Sequence, residues 1–334
     1  MIRVLHIQRK RNNFFSVENL YNSIRSKMSS DILVTLKFPK FISKGIFRRI
    51  YIMFEFLNFN TDLYHVLGDI HFLTFFLNKN KTILTILDCV SLNRKKDIKY
   101  YIIYFFWYYL PIKLVGNIIV ISNSTKLELI KLTGCYPEKI KVIPCCISDT
   151  FFEKQICIPI EKKTPIFLSI GTTKNKNLER IAESLVGIEC VWIIIGNLSN
   201  AQFDLFTSLK LNFSNKKNIS EADLIQVYLN SDILIFPSTY EGFGLPIVEA
   251  NALGVPVITS KLYSMPEVAN DAAIFVDPYN IKDIRFAVID ILSNLILKEQ
   301  LIQNGYRNAE RFKSVNIANQ YANFYREIIQ KLNH

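Results

Sequence analysis

The chain has 334 residues, half of them hydrophobic, 13% aromatic and 21% charged, with a formal net charge of +11. At roughly 150 residues per domain this length predicts two domains with sizeable cores, and the apolar content excludes long intrinsic disorder. With 11 Gly, 11 Pro and 6 Cys, collagen-like and disulfide-framework classes fall away as well.

The N-terminal MIRVLHIQRK has an apolar run too short for a signal peptide, so a cytoplasmic protein is expected. Strand-length apolar runs then recur between amphipathic stretches. In the first half they are Val4–Ile7, Ile32–Leu36, Leu63–Val66, Thr82–Leu87 and Ile118–Ser122. In the second half they are Ile166–Ile170, Cys190–Ile195, Ile233–Phe236, Val257–Thr259 and Ala273–Val276. Continuous Val/Ile/Leu runs suit parallel strands buried on both faces, with helices as crossovers. The pattern predicts an α/β protein of two doubly wound, Rossmann-like domains in tandem. Between Ile147 and Thr164 the periodicity breaks, which marks the boundary. Val315–Leu332 reads as a last amphipathic helix through Ile317, Tyr321, Phe324, Ile328 and Ile329.

Charge is uneven. Residues 1–160 carry 23 Lys/Arg against 11 Asp/Glu, and residues 161–334 carry 17 against 18. A basic first half suits an anionic partner such as a membrane surface or an acidic glycan; a compositional bias toward Lys and Asn is the other source. No nucleic-acid module or base-stacking motif accompanies the charge, so nucleic acid is not expected. Tyr100–Ile112 is uncharged and aromatic between Lys99 and Lys113. Thirteen residues are short for a span of about 20, which leaves a core helix or one at a membrane interface.

Cys89, Cys135, Cys145, Cys146, Cys157 and Cys190 form no C-x-x-C pair, and the histidines are only His6, His65, His71 and His334. Buried free thiols are expected, and no metal site.

The most informative stretch is PSTYEGFGLPIVEANALGVPVI, Pro237 to Ile258. It follows a strand, turns at Gly242-Phe243-Gly244, and opens a helix near Gly244 with Pro246 in its first turn. Free backbone N–H groups and the helix dipole would face an anion there. Glu241 precedes the helix and Glu249 lies inside it, in place to accept hydrogen bonds from ribose hydroxyls. The third glycine of G-x-G-x-x-G is absent, so a nicotinamide fingerprint is not supported. A second glycine turn runs from Ser169 through Gly171, Thr172 and Lys176 to Leu178. Ser220 and Asp223 read as a helix capping box.

Four blocks in this order, GTTKNKNL, SEADLIQVYLNSDILIF, PSTYEGFGLPIVEANALGVPVI and SMPEVANDAAIFVDPYN, resemble the donor domain of family-four retaining glycosyltransferases of the GT-B fold. Glu241 and Glu249 match that family's E-x7-E motif. The resemblance implies two domains facing each other across a cleft: residues 1–150 on the acceptor side, 151–314 binding a nucleotide sugar, and 315–334 returning as a closing helix. It implies a hexose-type sugar moved from a nucleoside-diphosphate sugar to a glycan or lipid-linked glycan acceptor, without a cofactor or bound metal. Glu249 would bind the ribose. Glu241 and the Gly242–Leu245 backbone would hold the sugar and diphosphate. Lys176, beside Gly171 and Thr172, would neutralise the departing diphosphate.

The first half matches less well. IQRKRNNFFSVENL replaces the usual glycine-rich loop, with Arg9, Lys10 and Arg11 as substitute charge. Where the family often reads T-x-H-D this chain has Thr85-Ile-Leu87-Asp88, and His71 after Gly68-Asp69 is the candidate replacement, or a structural histidine. Together with charge and aromatics, the resemblance implies work at the inner face of a membrane, in polysaccharide synthesis. Another enzyme on the same plan, such as a sugar-nucleotide epimerase, and a non-catalytic scaffold stay open.

Overall fold

The computed structural model describes residues 1–10, 16–57, 59–92, 95–153 and 164–333. Its contacts divide the chain into unit 1, Met1–Ser148 with Ser314–His334, and unit 2, Asp149–Lys313.

Unit 1 begins with β1 (Ile2–Gln8), α1 (Ser16–Ser26), β2 (Ile32–Lys37), α2 (Ile46–Glu55), β3 (Leu63–Leu67) and β4 (Thr82–Ile86). A helical stretch follows: α3 (Ile98–Ile103), a π-helical segment Tyr104–Tyr109, and α4 (Leu110–Leu114). Then come β5 (Asn117–Val120), α5 (Asn123–Thr133) and β6 (Ile140–Val142). The parallel sheet has the order β2-β1-β3-β4-β5-β6. β3 and β4 are buried at every residue, as their unbroken apolar runs require. Ser122 caps α5 by accepting from the Thr125 N–H, and Gly134 closes it in the left-handed region.

Unit 2 runs β7 (Ile166–Ile170), α6 (Leu178–Leu185), β8 (Val191–Ile195), α7 (Asn200–Ser208), β9 (Phe213–Lys216) and α8 (Glu221–Leu229). It continues with β10 (Ile233–Phe236), α9 (Leu245–Ala252), β11 (Val257–Ser260), α10 (Met265–Ala269), β12 (Ile274–Val276), α11 (Ile281–Ser293) and α12 (Leu295–Glu310). Its sheet has the order β12-β11-β10-β7-β8-β9. Trp192 and Phe206, both fully buried, anchor its core. The expected α/β class holds, with two parallel sheets, each with helices for crossovers.

Two strands, β6 and β9, escape the sequence reading. Each is a sheet edge, and Ile-Lys-Val and Phe-Ser-Asn-Lys carry only half the apolar signal of a central strand. The expected capping box at α8 forms only in part. Ser220 accepts from the Asp223 N–H, but its own hydroxyl donates to the Asp223 carboxylate. Among the described residues no helix is long and apolar enough to cross a membrane, which removes a span at Tyr100–Ile112. Cys89, Cys135, Cys145, Cys146 and Cys190 are buried free thiols; Cys157 lies outside the described residues.

The last helix, α13 (Ser314–Asn333), belongs to unit 1. It is held by polar contacts inside the apolar packing. The Tyr325 hydroxyl meets His6 Nε2 at 2.9 Å and His65 Nδ1 at 2.7 Å, and His65 Nε2 meets the Thr85 hydroxyl at 2.7 Å. Both imidazoles are fully buried. Loss of hydration pushes His65 down to about 3 and His6 well below its ordinary range. Unfolding restores an ordinary histidine pKa of about 6.5, so below that pH the unfolded chain binds more protons. Stability therefore falls as pH drops, by up to about 1.4 kcal/mol per pH unit for each histidine. Denaturant melts of the full chain between about pH 7 and pH 5 are expected to show this loss in unit 1. Tyr325→Phe should cost about 1–3 kcal/mol at neutral pH by stranding imidazole nitrogen. A stability flat across that range would mean the histidines are already charged in the fold.

Candidate active site

The site in unit 2 grows from the end of β7. Gly171 stands there at φ 89°, a left-handed conformation, with its N–H donated to the Ile195 carbonyl at 2.8 Å. A Cβ at this position would lie 2.7 Å from Lys176 Cε. The bare glycine is therefore the bed on which the Lys176 stem lies. A 3-10 turn over Lys174–Lys176 and a left-handed Asn177 then lead into α6. The Asn177 side chain donates to the Pro237 and Pro278 carbonyls, which fastens this turn to the loops after β10 and β12.

Across that loop stands Glu241. Its Oε1 accepts from Lys176 Nζ at 2.5 Å and from the Asn175 amide at 3.3 Å. Both charged side chains are largely enclosed, and the ammonium also sits 4.6 Å from the Phe236 ring centroid. An ion pair in such surroundings is stronger than one in water. The buried Ser264 hydroxyl bonds the carbonyls of Glu241 and Phe243 at 2.9 and 2.8 Å, fixing the turn from beneath. Phe243 itself is core, packed edge-on against Phe312. It offers its backbone, not its ring.

Gly244 forms the N-cap of α9 at φ 106°, and no side chain caps that end. Pro246, in the first turn, has no N–H to satisfy. The uncapped terminus therefore presents backbone donors and the positive end of the dipole beside the Lys176–Glu241 pair. Glu249 lies deeper in α9. Its Oε2 accepts from the Tyr228 hydroxyl at 2.8 Å. Loss of hydration pushes the Glu249 carboxyl up to about 7, with Tyr228 and Lys176 opposing and Glu221 adding to the rise.

Thr172, the next residue after Gly171, has both its hydroxyl and its carbonyl bonded within unit 2. Its hydroxyl is spent on the Asn197 carbonyl at 2.7 Å, and its own carbonyl accepts from Gln202. A cavity of about 970 Å³ opens on this flank, walled by Thr172, Asn177, Arg180, Gln202 and Tyr279 among others. Lys176, Glu241 and Glu249 are not among its wall residues. The candidate chemistry is the ion pair with the α9 N-terminus, while the cavity's own charged walls are Lys174, Glu179, Arg180 and Glu183. Tyr228, Asn175 and Ser264 were not singled out from sequence. All three lie within the four blocks, but their bonds to Glu241 and Glu249 span between 21 and 66 residues.

In unit 1, His71 lies in a second cavity, of about 520 Å³, with Arg9, Asp69, Asp88, Lys99 and Tyr108. Its Nδ1 donates to the Trp107 carbonyl at 2.5 Å. That carbonyl is available because Pro111, four residues on, has no N–H for the helical bond. Burial lowers the His71 pKa. The ring is thus neutral, with Nε2 as its lone-pair nitrogen. Arg9 pairs with Glu18 and Asp69, and Lys10 donates to the Lys40 carbonyl; Arg11 lies outside the described residues. Thr85 is taken up by His65.

The fold is of the GT-B class. A structure of HepE from Anabaena in complex with UDP and glucose superposes with a TM-score of 0.77 at 14% identity, covering 98% of this chain and 100% of that one. At that identity it bears on the fold alone. Residues 152–308 match the family described as glycosyl transferases group 1. An O-antigen chain mannosyltransferase B of Escherichia coli is 35% identical over 108 residues, 32% of this chain and 28% of that protein. An MMP alpha-(1->4)-mannosyltransferase of Mycolicibacterium hassiacum is 30% identical over 242 residues, 65% of this chain and 56% of that protein. The chain thus spans little more than half, or less, of the length of each of these relatives.

Proposed function

We propose that the protein is a retaining glycosyltransferase that moves a hexose from a nucleoside-diphosphate sugar to a glycan or lipid-linked glycan acceptor, without a metal ion. The observation that carries this is the Lys176–Glu241 pair, seated on Gly171 beside the uncapped N-terminus of α9. A diphosphate arriving there would draw the ammonium from the carboxylate. Glu241, so released, would accept hydrogen bonds from the sugar hydroxyls, and Glu249 from the ribose. As the anomeric carbon–oxygen bond breaks, negative charge gathers on the departing diphosphate. Lys176 and the α9 N–H groups would stabilise it, the electrostatic work that a divalent ion does elsewhere. Retention through front-face attack, with the diphosphate taking the acceptor's proton, follows the resembled family.

Mannose is the sugar favoured by both relatives' names. We place the acceptor against unit 1, where neutral His71 lines a cavity holding Arg9 and Lys99, and place the work in the cytoplasm.

The test is a thermal-shift screen of UDP-, GDP-, ADP- and CMP-sugars in chelator. One of them is expected to stabilise the chain, by about 2.7 kcal/mol at a hundredfold excess over Kd, and the effect should shrink to about 0.3–1.4 kcal/mol in Glu249→Ala at the same concentration. No stabilisation in a folded protein would leave a scaffold that keeps only the shape. Nucleotide release without acceptor-dependent product would identify an epimerase-like enzyme.

A further inference from the structure

We propose that unit 1 docks on an anionic lipid bilayer through the face formed by α2 and the helical stretch Ile98–Leu114, a property beyond the proposed reaction, on a face that borders the His71 cavity through Arg49, Lys99 and Ile102. The clearest sign is α2, where seven of ten residues are apolar and only Ile52 is buried. Phe47 is 85% exposed and Ile46 68%. A short helix on a water-facing surface places charge at such positions; scattered single apolar residues need no explanation, but a contiguous set does.

Ring contacts join this helix to its neighbours. Phe54 stacks on Phe76 at 4.9 Å, although both are half exposed. Next to Phe76, Phe75 meets Phe106 at 6.4 Å. The Arg49 guanidinium lies 4.5 Å from the Trp107 ring centroid and ties α2 to the π-helical segment. Tyr101, Ile102, Phe105 and Phe106 extend the apolar surface along that segment. The stretch is thus neither pure core nor a span: Tyr100, Tyr108, Pro111 and Ile112 are buried, while Ile98, Tyr101, Ile102, Phe105 and Phe106 lie open.

Charge selects the occupant. Residues 37–54 contain five Lys/Arg and no Asp/Glu, and residues 98–114 contain Lys99 and Lys113 and no acid. Lys40 carries its ammonium 5.8 and 5.9 Å from the Phe41 and Tyr51 ring centroids, which sets a cation directly beside the aromatic surface. Exposed aromatics rimmed by cations match a bilayer interface with anionic headgroups. A second copy of the chain fits poorly, because a two-fold contact would press this cationic patch against itself.

The full chain would be sedimented with vesicles of phosphatidylethanolamine and phosphatidylglycerol, and with vesicles of phosphatidylcholine alone. The expected result is at least about tenfold stronger binding to the anionic vesicles, lost at high salt. Phe47→Ser combined with Ile46→Ser should weaken that binding by about tenfold or more. Lys44→Glu with Arg48→Glu should abolish the preference for anionic lipid. These side chains are exposed, so the variants keep the fold, and unchanged sugar-nucleotide stabilisation would show the donor site intact. Absent binding, or equal binding to both vesicle types, overturns the proposal. So does a concentration-dependent dimer that Phe47→Ser with Ile46→Ser dissolves, since the face would then belong to a second copy.

Discussion

Lys176→Ala is expected to lower kcat by about 10²–10³-fold, with donor affinity changed by only a few-fold. In the unliganded protein the ammonium already has an anionic partner, Glu241 at 2.5 Å. Binding the donor diphosphate exchanges one anion for another, so little ground-state energy is gained. As the glycosidic oxygen leaves, its negative charge grows, and the enclosed ammonium is matched to that increment. Initial rates with varied donor separate the two effects. A loss carried by KM alone would make Lys176 a ground-state binder. Lys176→Arg should not restore the rate, because the seat over Gly171 is fitted to an unbranched stem and a planar fork is not an equivalent charge. Gly171→Ala should reproduce part of the loss, since the new methyl group occupies that same seat in a strained, left-handed conformation.

Glu249→Ala is expected to raise the donor Kd by roughly 10- to 150-fold, the worth of about 1.5–3 kcal/mol for hydrogen bonds to a charged group. The wild-type affinity should itself depend on pH. The carboxyl is held up at about 7 by loss of hydration, and its protonated form accepts hydrogen bonds more weakly. Donor binding should therefore weaken as pH falls through 7, and Glu249→Ala should erase that dependence. Tyr228→Phe removes the 2.8 Å bond that favours the ionised form. Its midpoint should move to higher pH. Calorimetric titration of the donor found in the screen, over a pH series, checks all three. A midpoint unmoved by either substitution would assign the titration to another group.

What was legible in the sequence follows how much of each signal is local. β3, β4 and β10 are buried at every position, and a strand covered on both faces must be apolar throughout. β6 and β9 have one partner each, and their alternation over three or four residues resembles a loop. Lys176, Glu241 and Glu249 stand in contiguous blocks with turn glycines between, so chemistry and backbone were visible together. The supports of these residues are not contiguous. Asn175 reaches Tyr240 and Glu241 across some 65 residues, and Ser264 reaches back to Glu241 across 23. No local pattern encodes such bonds. The His71–Trp107 bond did leave a trace, a proline four residues beyond the tryptophan, which withholds the carbonyl's helical partner. The exposure of α2 was also hidden, because seven apolar residues in ten read equally well as core.

The membership of α13 in unit 1 has a consequence for biosynthesis. Unit 2 is one continuous run of chain, Asp149–Lys313, whereas unit 1 needs stretches from both sides of it. On the ribosome, unit 2 can complete its contacts as soon as its own residues emerge. Unit 1 must wait for the stretch Ser314–His334, with His6 and His65 lacking the hydroxyl of Tyr325 until then. The half translated first is the half finished last. A chain that stops before α13 would have unit 2 whole and unit 1 with an open core for chaperones and proteases to find.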